Sequence, residues 1–379
     1  MKIAVKIGRL KKVKQTEIFF LLPCLVLIWM ISLTSPVVQA QATKTLNVLV
    51  PFAAGGTVDI TARQLSKDIG LSLNMNVVVD NRGGGGGTIA TGMLARANPD
   101  GQTIMFHHMG ITFDTALYDK LPFDTKTDIA PLAYLGATPN VLVVTNRLPV
   151  KNVKEFIEYA RANPSKINYG SGGVGSAGHL AMETFQVPTN TKMTHIPYKG
   201  SGPAITDLIS GEIQAMLMTI AAIKPYIENN QVKAFATSGL VRSAALPDLP
   251  TLHESGLKGF NYSPWYGVFV PAKTPAPIMN QLHDAINKAL ENPENKKKLS
   301  GQGLETKVMT RQEFEKIYQE TDRLQTQLWD AVAPSVRSNQ TPVMALVAAG
   351  MNEVIDSEGF TVASWAARLP VTAWILMCA

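Results

Sequence analysis

A two-lobed α/β fold, each lobe a mainly parallel sheet flanked by helices, is what this 379-residue sequence predicts. Three observations lead there. Short β-branched runs alternate with helical stretches of about ten residues, the pattern of βαβ units. That programme occurs twice, and each time its first strand empties into a glycine-rich turn and then a helix. A long apolar stretch joins the two halves and a second one leads back, so the second half is inserted within the first.

In the first half, Leu46 to Val50 is a strand and Asp59 to Ile69 a helix, with Ile60, Ala62, Leu65 and Ile69 mostly on one side. Met75 to Val79 follows as a strand, then glycines 83–87, a helix from Thr88 to Ala97, the turn Asn98-Pro99-Asp100-Gly101 and a strand from Thr103 to Phe106. Ile129 to Val144, with Pro131, Gly136 and Pro139, reads as strand passing from one lobe into the other. The second half sets strands at Ile167 to Gly170, Thr194 to Ile196, Ile213 to Met218 and Val232 to Ala236. Its helices are His179 to Gln186, Pro203 to Ser210 and Ile223 to Glu228. Tyr266 to Val270 crosses back, ahead of Pro271, Pro275, Pro277 and the helix Ile278 to Glu291. The expected division is 41–137 and 266–332 for the first lobe, 138–265 for the second, and an atypical tail at 333–379. Two connections between lobes make a hinge suited to closing around a ligand.

Residues 1–40 have the layout of a secretory signal: six lysines and arginines, an apolar run from Ile18 to Leu33, and Val38-Gln39-Ala40 before a cut. An uncleaved anchor is the alternative, and Pro23 argues against lipid modification of Cys24. Without that segment 29 basic residues face 28 acidic ones, so no broad electrostatic footprint for nucleic acid remains. Lys296-Lys297-Lys298 reads as a solvated helix face. Cys378 is then the sole cysteine, which excludes an intramolecular disulfide and a cysteine-rich metal site. The apolar end of the tail, Ala363 to Ala379, is short for a membrane span and broken by Arg368 and Pro370.

The first turn reads Pro51-Phe52-Ala53-Ala54-Gly55-Gly56-Thr57-Val58-Asp59, and its glycines free the backbone to aim several N–H groups into one space. Helix N-termini carry unsatisfied N–H groups and a partial positive charge, so such a turn can hold an anion. The second turn, Ser171-Gly172-Gly173-Val174-Gly175-Ser176-Ala177-Gly178, has the same equipment plus two hydroxyls. Either run taken singly is explained by tight turning; the match between two similar halves favours a shared cleft at strand carboxyl ends. Asp59 is expected to cap the first helix. Gly170 to Gly175 spells a dinucleotide glycine pattern, but no acid occurs from Phe185 to Thr206, where one would be needed.

No H-E-x-x-H or G-x-S-x-G sequence occurs among the six histidines and many serines, and no metal or cofactor is expected. His107 and His108 follow a strand whose end would face the cleft, and alternation allows one of them, taken as His108, to meet a ligand.

The chain resembles the Bug-type receptors of tripartite tricarboxylate transporters. The resemblance rests on Pro51-Phe52-x-x-Gly55-Gly56-x-x-Asp59, His195-x-Pro197-Tyr198-Lys199-Gly200-x-x-Pro203-Ala204, Leu246-Pro247-Asp248-Leu249-Pro250-Thr251 and Trp265-Tyr266-Gly267, in order along the chain. It implies a periplasmic-binding-protein fold of the second type and a ligand that carries a carboxylate. Carried over from the family, the carboxylate would be held by Phe52, Ala54, Gly55, Thr57 and Asp59 of the first turn. Ser171, Gly172, Val174, Gly175 and Ser176 would hold it from the second. Met218-Thr219 stands where the family often has Asp-Asn, which argues against an amino-acid ligand. The expected protein is therefore a periplasmic monomer that delivers a small carboxylated solute to permease subunits or a signalling receptor. An enzyme with His108 or His179 as general acid-base is the competing reading. An effector-sensing transcription domain conflicts with the signal segment.

Overall fold

The computed structural model describes residues 44–114 and 120–323, all within one compact unit. The expected signal segment with Cys24, and the tail 333–379 with Cys378, lie outside the described residues.

The chain begins with β1 (Thr45–Val50), α1 (Thr57–Leu73), β2 (Asn76–Asn81), α2 (Thr88–Ala95), β3 (Thr103–His108) and β4 (Ile129–Ala137). It continues with β5 (Asn140–Thr145), α3 (Val153–Ala162), β6 (Asn168–Ser171), α4 (Ala177–Thr189), β7 (Thr194–Pro197), α5 (Ser201–Ser210), β8 (Ala215–Thr219), α6 (Ile220–Glu228) and β9 (Val232–Thr237). It returns through β10 (Trp265–Pro271), α7 (Ala276–Glu291), α8 (Pro293–Gly301) and β11 (Glu305–Thr306), ahead of a last helix at 311–323.

Two sheets result, one in the order β11-β4-β10-β3-β1-β2 and one in the order β7-β6-β8-β5-β9. Pairing is parallel where βαβ units run, β2-β1-β3 and β7-β6-β8, and antiparallel where crossing strands join. Thus β10 lies antiparallel to both β3 and β4, and β5 antiparallel to β8 and β9, so each sheet is mixed. The reason is connectivity: a strand that enters from the other lobe has no crossover helix to set it parallel. The apolar stretch 129–144 is two strands, broken at Thr138-Pro139 because β4 ends in one sheet and β5 starts in the other. Thr138 N–H donates to Pro264 O at 3.2 Å, tying the outward crossing to the return.

Period-two alternation fills both faces of each sheet. Leu46, Val48 and Val50 of β1 pack with Leu65, Ile69 and Leu282 of α1 and α7, while Leu49 joins Leu94 and Phe314 on the other face. In β5, Val141 and Val143 meet Ile205 and Ile223, and Leu142 meets Phe156 and Leu180. Four helices, α1, α4, α5 and α6, begin two or three residues earlier than expected, at Thr57, Ala177, Ser201 and Ile220. Among the described residues no helix is long and apolar enough to cross a membrane.

Candidate binding site

The ends of β1, β3, β6 and β8 border one cleft between the sheets, with Tyr266 at the start of β10 also lining it. The atom-free space of the cleft, its open mouth included, is about 460 Å³.

The lobes meet along a seam made of backbone. Ala53 N–H donates to Lys199 O at 2.9 Å. A Cβ added at Gly83 would lie 2.5 Å from Lys199 O, at Gly202 2.8 Å from Ala54 O, and at Gly110 2.7 Å from Gly175 O. Within the cleft Thr57 and Thr219 share a hydrogen bond across the lobes, and the Tyr266 hydroxyl lies beside both. Away from it, Lys224 Nζ donates to Gly301 O at 2.7 Å.

Three helix N-termini converge on one corner of the cleft. Gly56 precedes α1 as its N-cap and has no side chain, so the leading N–H groups of that helix face the cleft uncapped. A Cβ on Gly56 would sit 3.9 Å from Ser201 Oγ, and one on Gly172 3.5 Å from both Ser201 N and Ser176 Cβ. Gly56, Gly172, Ser176 and Ser201 therefore share a single corner. The opening N–H groups of α1, α4 and α5 have no intrahelical acceptor, and the partial positive charge of three helix ends adds there.

Other N–H groups of the two turns are engaged within the turns. Gly55 N–H donates to Asp59 Oδ2 at 3.0 Å, and Gly175 N–H to His179 Nδ1 at 3.1 Å. Gly173 N–H donates to Ser171 Oγ at 3.1 Å. Asp59 is not the helix cap; it is the third residue of α1, reaching back to Gly55 and out to Arg63 Nε at 2.8 Å.

His108 is buried and stacks on Phe52 with ring centroids 5.1 Å apart. Its Nδ1 accepts from Gly110 N–H at 2.8 Å. Burial, with His107 beside it, holds its pKa well below the usual histidine value, so the ring is neutral with its proton on Nε2. His107 points away from the cleft, and burial lowers its pKa to about 4. Under the second turn His179 and His195 stack with centroids 4.0 Å apart. Burial, and for His179 the neighbouring His195, lowers them to about 3 and about 4. Ser171 Oγ lies 2.6 Å from His195 Nε2, and Ser176 Oγ accepts from His179 N–H at 3.4 Å as the cap of α4.

Residues 61–333 match the model of the Tripartite tricarboxylate transporter family receptor. The chain belongs to that receptor family. Among solved structures it is similar to the periplasmic binding protein BugD, at 32% identity and TM-score 0.72, over 76% of this chain and 97% of that one. It is similar to a protein of R. palustris solved with adipate, at 31% identity and TM-score 0.73, over 78% and 97%. MatC from Rhodopseudomonas palustris, solved with malate, matches at 30% identity and TM-score 0.70, over 74% and 96%.

Of the residues this receptor's sequence nominates, Phe52, Gly56, Thr57 and His108 line the cleft from the first lobe. Ser171, Gly172 and Ser176 line it from the second. Ala54, Gly55, Asp59, Val174 and Gly175 do not; Gly55 and Gly175 instead take φ of +88° and +80° and shape the turns. Sequence reasoning missed Ser201, Thr219, Tyr266, Met216 and Met218. Gly200-Ser201 ahead of a helix is the one signal that marks a third anion-holding turn. Among the described residues no cluster of three or more His, Cys, Asp or Glu could hold a metal.

Proposed function

We propose that the protein is a periplasmic receptor that captures a small carboxylated solute between its lobes, leaves it chemically unchanged and passes it to a membrane permease. The observation that carries this reading is the corner where α1, α4 and α5 converge, fed by both lobes. A carboxylate there would meet open N–H groups of both lobes at once, so binding and closure would be one event. The adipate and malate of the two R. palustris structures belong to the same chemical class.

An enzyme would build on Ser171, which lines the cleft, and His195, whose Nε2 lies against its hydroxyl. That pair is poorly equipped: burial holds His195 near about 4, too weak a base to activate a hydroxyl at neutral pH, and no carboxylate bonds to its ring among the described residues. Calorimetry of the purified protein with carboxylates, neutral sugars and short peptides tests the reading. Carboxylate binding with one site per chain, and the ligand recovered intact after long incubation, is the expected result. Binding of sugars or peptides alone, or a transformed ligand, would overturn it.

A further inference from the structure

We infer that the cleft is built for a monocarboxylate whose far end is uncharged and accepts a hydrogen bond, in preference to a dicarboxylate or an amino acid. The inference rests on the receptor reading and narrows its substrate class.

The helix ends of α1, α4 and α5 gather at the corner of Gly56, Gly172, Ser176 and Ser201, the one part of the cleft where several backbone donors meet. The lining also includes Phe52, Val58, Met216 and Met218. No Lys, Arg, Asp or Glu is among the described residues lining the cleft. Two ionisable side chains do line it, His108 and Tyr266, and both are buried. Burial keeps the imidazole uncharged and raises the Tyr266 hydroxyl above its ordinary range, so neither carries charge at neutral pH. The Tyr266 hydroxyl lies beside Thr57 and Thr219, which bond to each other. His108 differs: with Nδ1 occupied by Gly110, its Nε2–H is a fixed donor with no partner among the described residues.

A second carboxylate would leave water for a place with one neutral donor and no counter-charge, which is the costly way to bury an ion. An ammonium group would find no acid among the described lining residues. A hydroxyl or carbonyl oxygen, by contrast, is matched to a single N–H.

Hexanoate, 6-hydroxyhexanoate and adipate share one chain length and differ at the far end alone, so they isolate this choice. In calorimetry at pH 7, 6-hydroxyhexanoate is expected to bind at least about tenfold more tightly than adipate. The affinity for adipate relative to hexanoate should rise as the pH is lowered from 7 toward 5.5, where the second carboxyl of adipate begins to take up a proton and hexanoate is still mostly ionised. His108→Leu should abolish the advantage of 6-hydroxyhexanoate over hexanoate, and His108→Gln, which keeps a donor, should retain part of it. Adipate binding as tightly as the monoacids at pH 7 overturns this inference and leaves the receptor reading standing. Failure of all three acids, and of a wider carboxylate set, overturns both.

Discussion

Gly55 donates its N–H to Asp59 at 3.0 Å, across one turn of chain, and this bond holds the first glycine turn in shape. The same carboxylate accepts from Arg63, so it is a brace between backbone and helix. Asp59→Ala removes a charge-assisted hydrogen bond to a backbone donor, about 1.5–3 kcal/mol. At roughly 2 °C per kcal/mol for a protein of this size the ligand-free Tm should fall by about 3–6 °C. Asp59→Asn keeps an acceptor and should lose less. Equal, negligible losses in both variants on thermal melting would show that the turn holds itself.

Gly202 separates closure from folding. It is the second residue of α5, and an added Cβ would meet nothing within 4 Å except Ala54 of the other lobe, at 2.8 Å from its carbonyl oxygen. Alanine suits a helix better than glycine, by up to about 1 kcal/mol. Gly202→Ala should therefore leave the ligand-free Tm unchanged or raised, yet weaken ligand binding by about tenfold or more as the seam is wedged open. Small-angle scattering with saturating ligand should report a wider particle than the wild type. Unaltered affinity would mean that the seam does not form in the ligand-bound state.

Ser201 heads α5 beside the corner, and its hydroxyl has no hydrogen-bond partner among the described residues. If it donates to the carboxylate, Ser201→Ala should weaken binding roughly 10- to 150-fold, the equivalent of 1.5–3 kcal/mol. The ligand-free Tm should not move. Ser176→Ala makes the contrast, because that hydroxyl also caps α4 and its loss should lower the melting temperature as well. Calorimetry and melting on the two variants decide the matter together.

The buried histidines set the response to acid. His107 and His179 are held neutral to about 4 and about 3, whereas an imidazole in the unfolded chain takes up its proton near 6.5. Below pH 6.5 the unfolded chain therefore binds protons that the folded one refuses. Stability falls with decreasing pH by about 1.4 kcal/mol per pH unit for each such ring, until the folded rings themselves protonate. At pH 7 and above they contribute no slope. Denaturant unfolding between pH 7 and 5 should show this decline, and His107→Phe should reduce it by about one ring's share. A decline in His107→Phe as steep as in the wild type would mean that this ring is not buried as described.

The apolar pattern made the sheets and helices legible, because alternation in β1 and β5 and the stripe on α1 are direct readouts of buried faces. The first turns of α1, α4 and α5 were not legible in that way. Thr57, Ala177 and Ser201 face the cleft and bury no hydrophobic stripe, so periodicity begins only after them. The pairing of β10 with β3 was also hidden, since strands 158 residues apart at Tyr266 and His108 meet through the chain's route and not through any local signal. Glycine runs showed where N–H groups could be freed, but not which of them Asp59 and His179 would claim.

A seam built from carbonyls, amides and absent side chains has an evolutionary consequence. Substitution of Phe52, Met216, Met218 or His108 changes what fits inside, but those side chains take no part in the Ala53–Lys199 bond or in the close approach of Gly202 to Ala54. Cargo preference can therefore drift while the act of shutting stays fixed. Any partner that reads the shut outline meets the same surface whatever lies within, so one docking solution would serve receptors of many tastes.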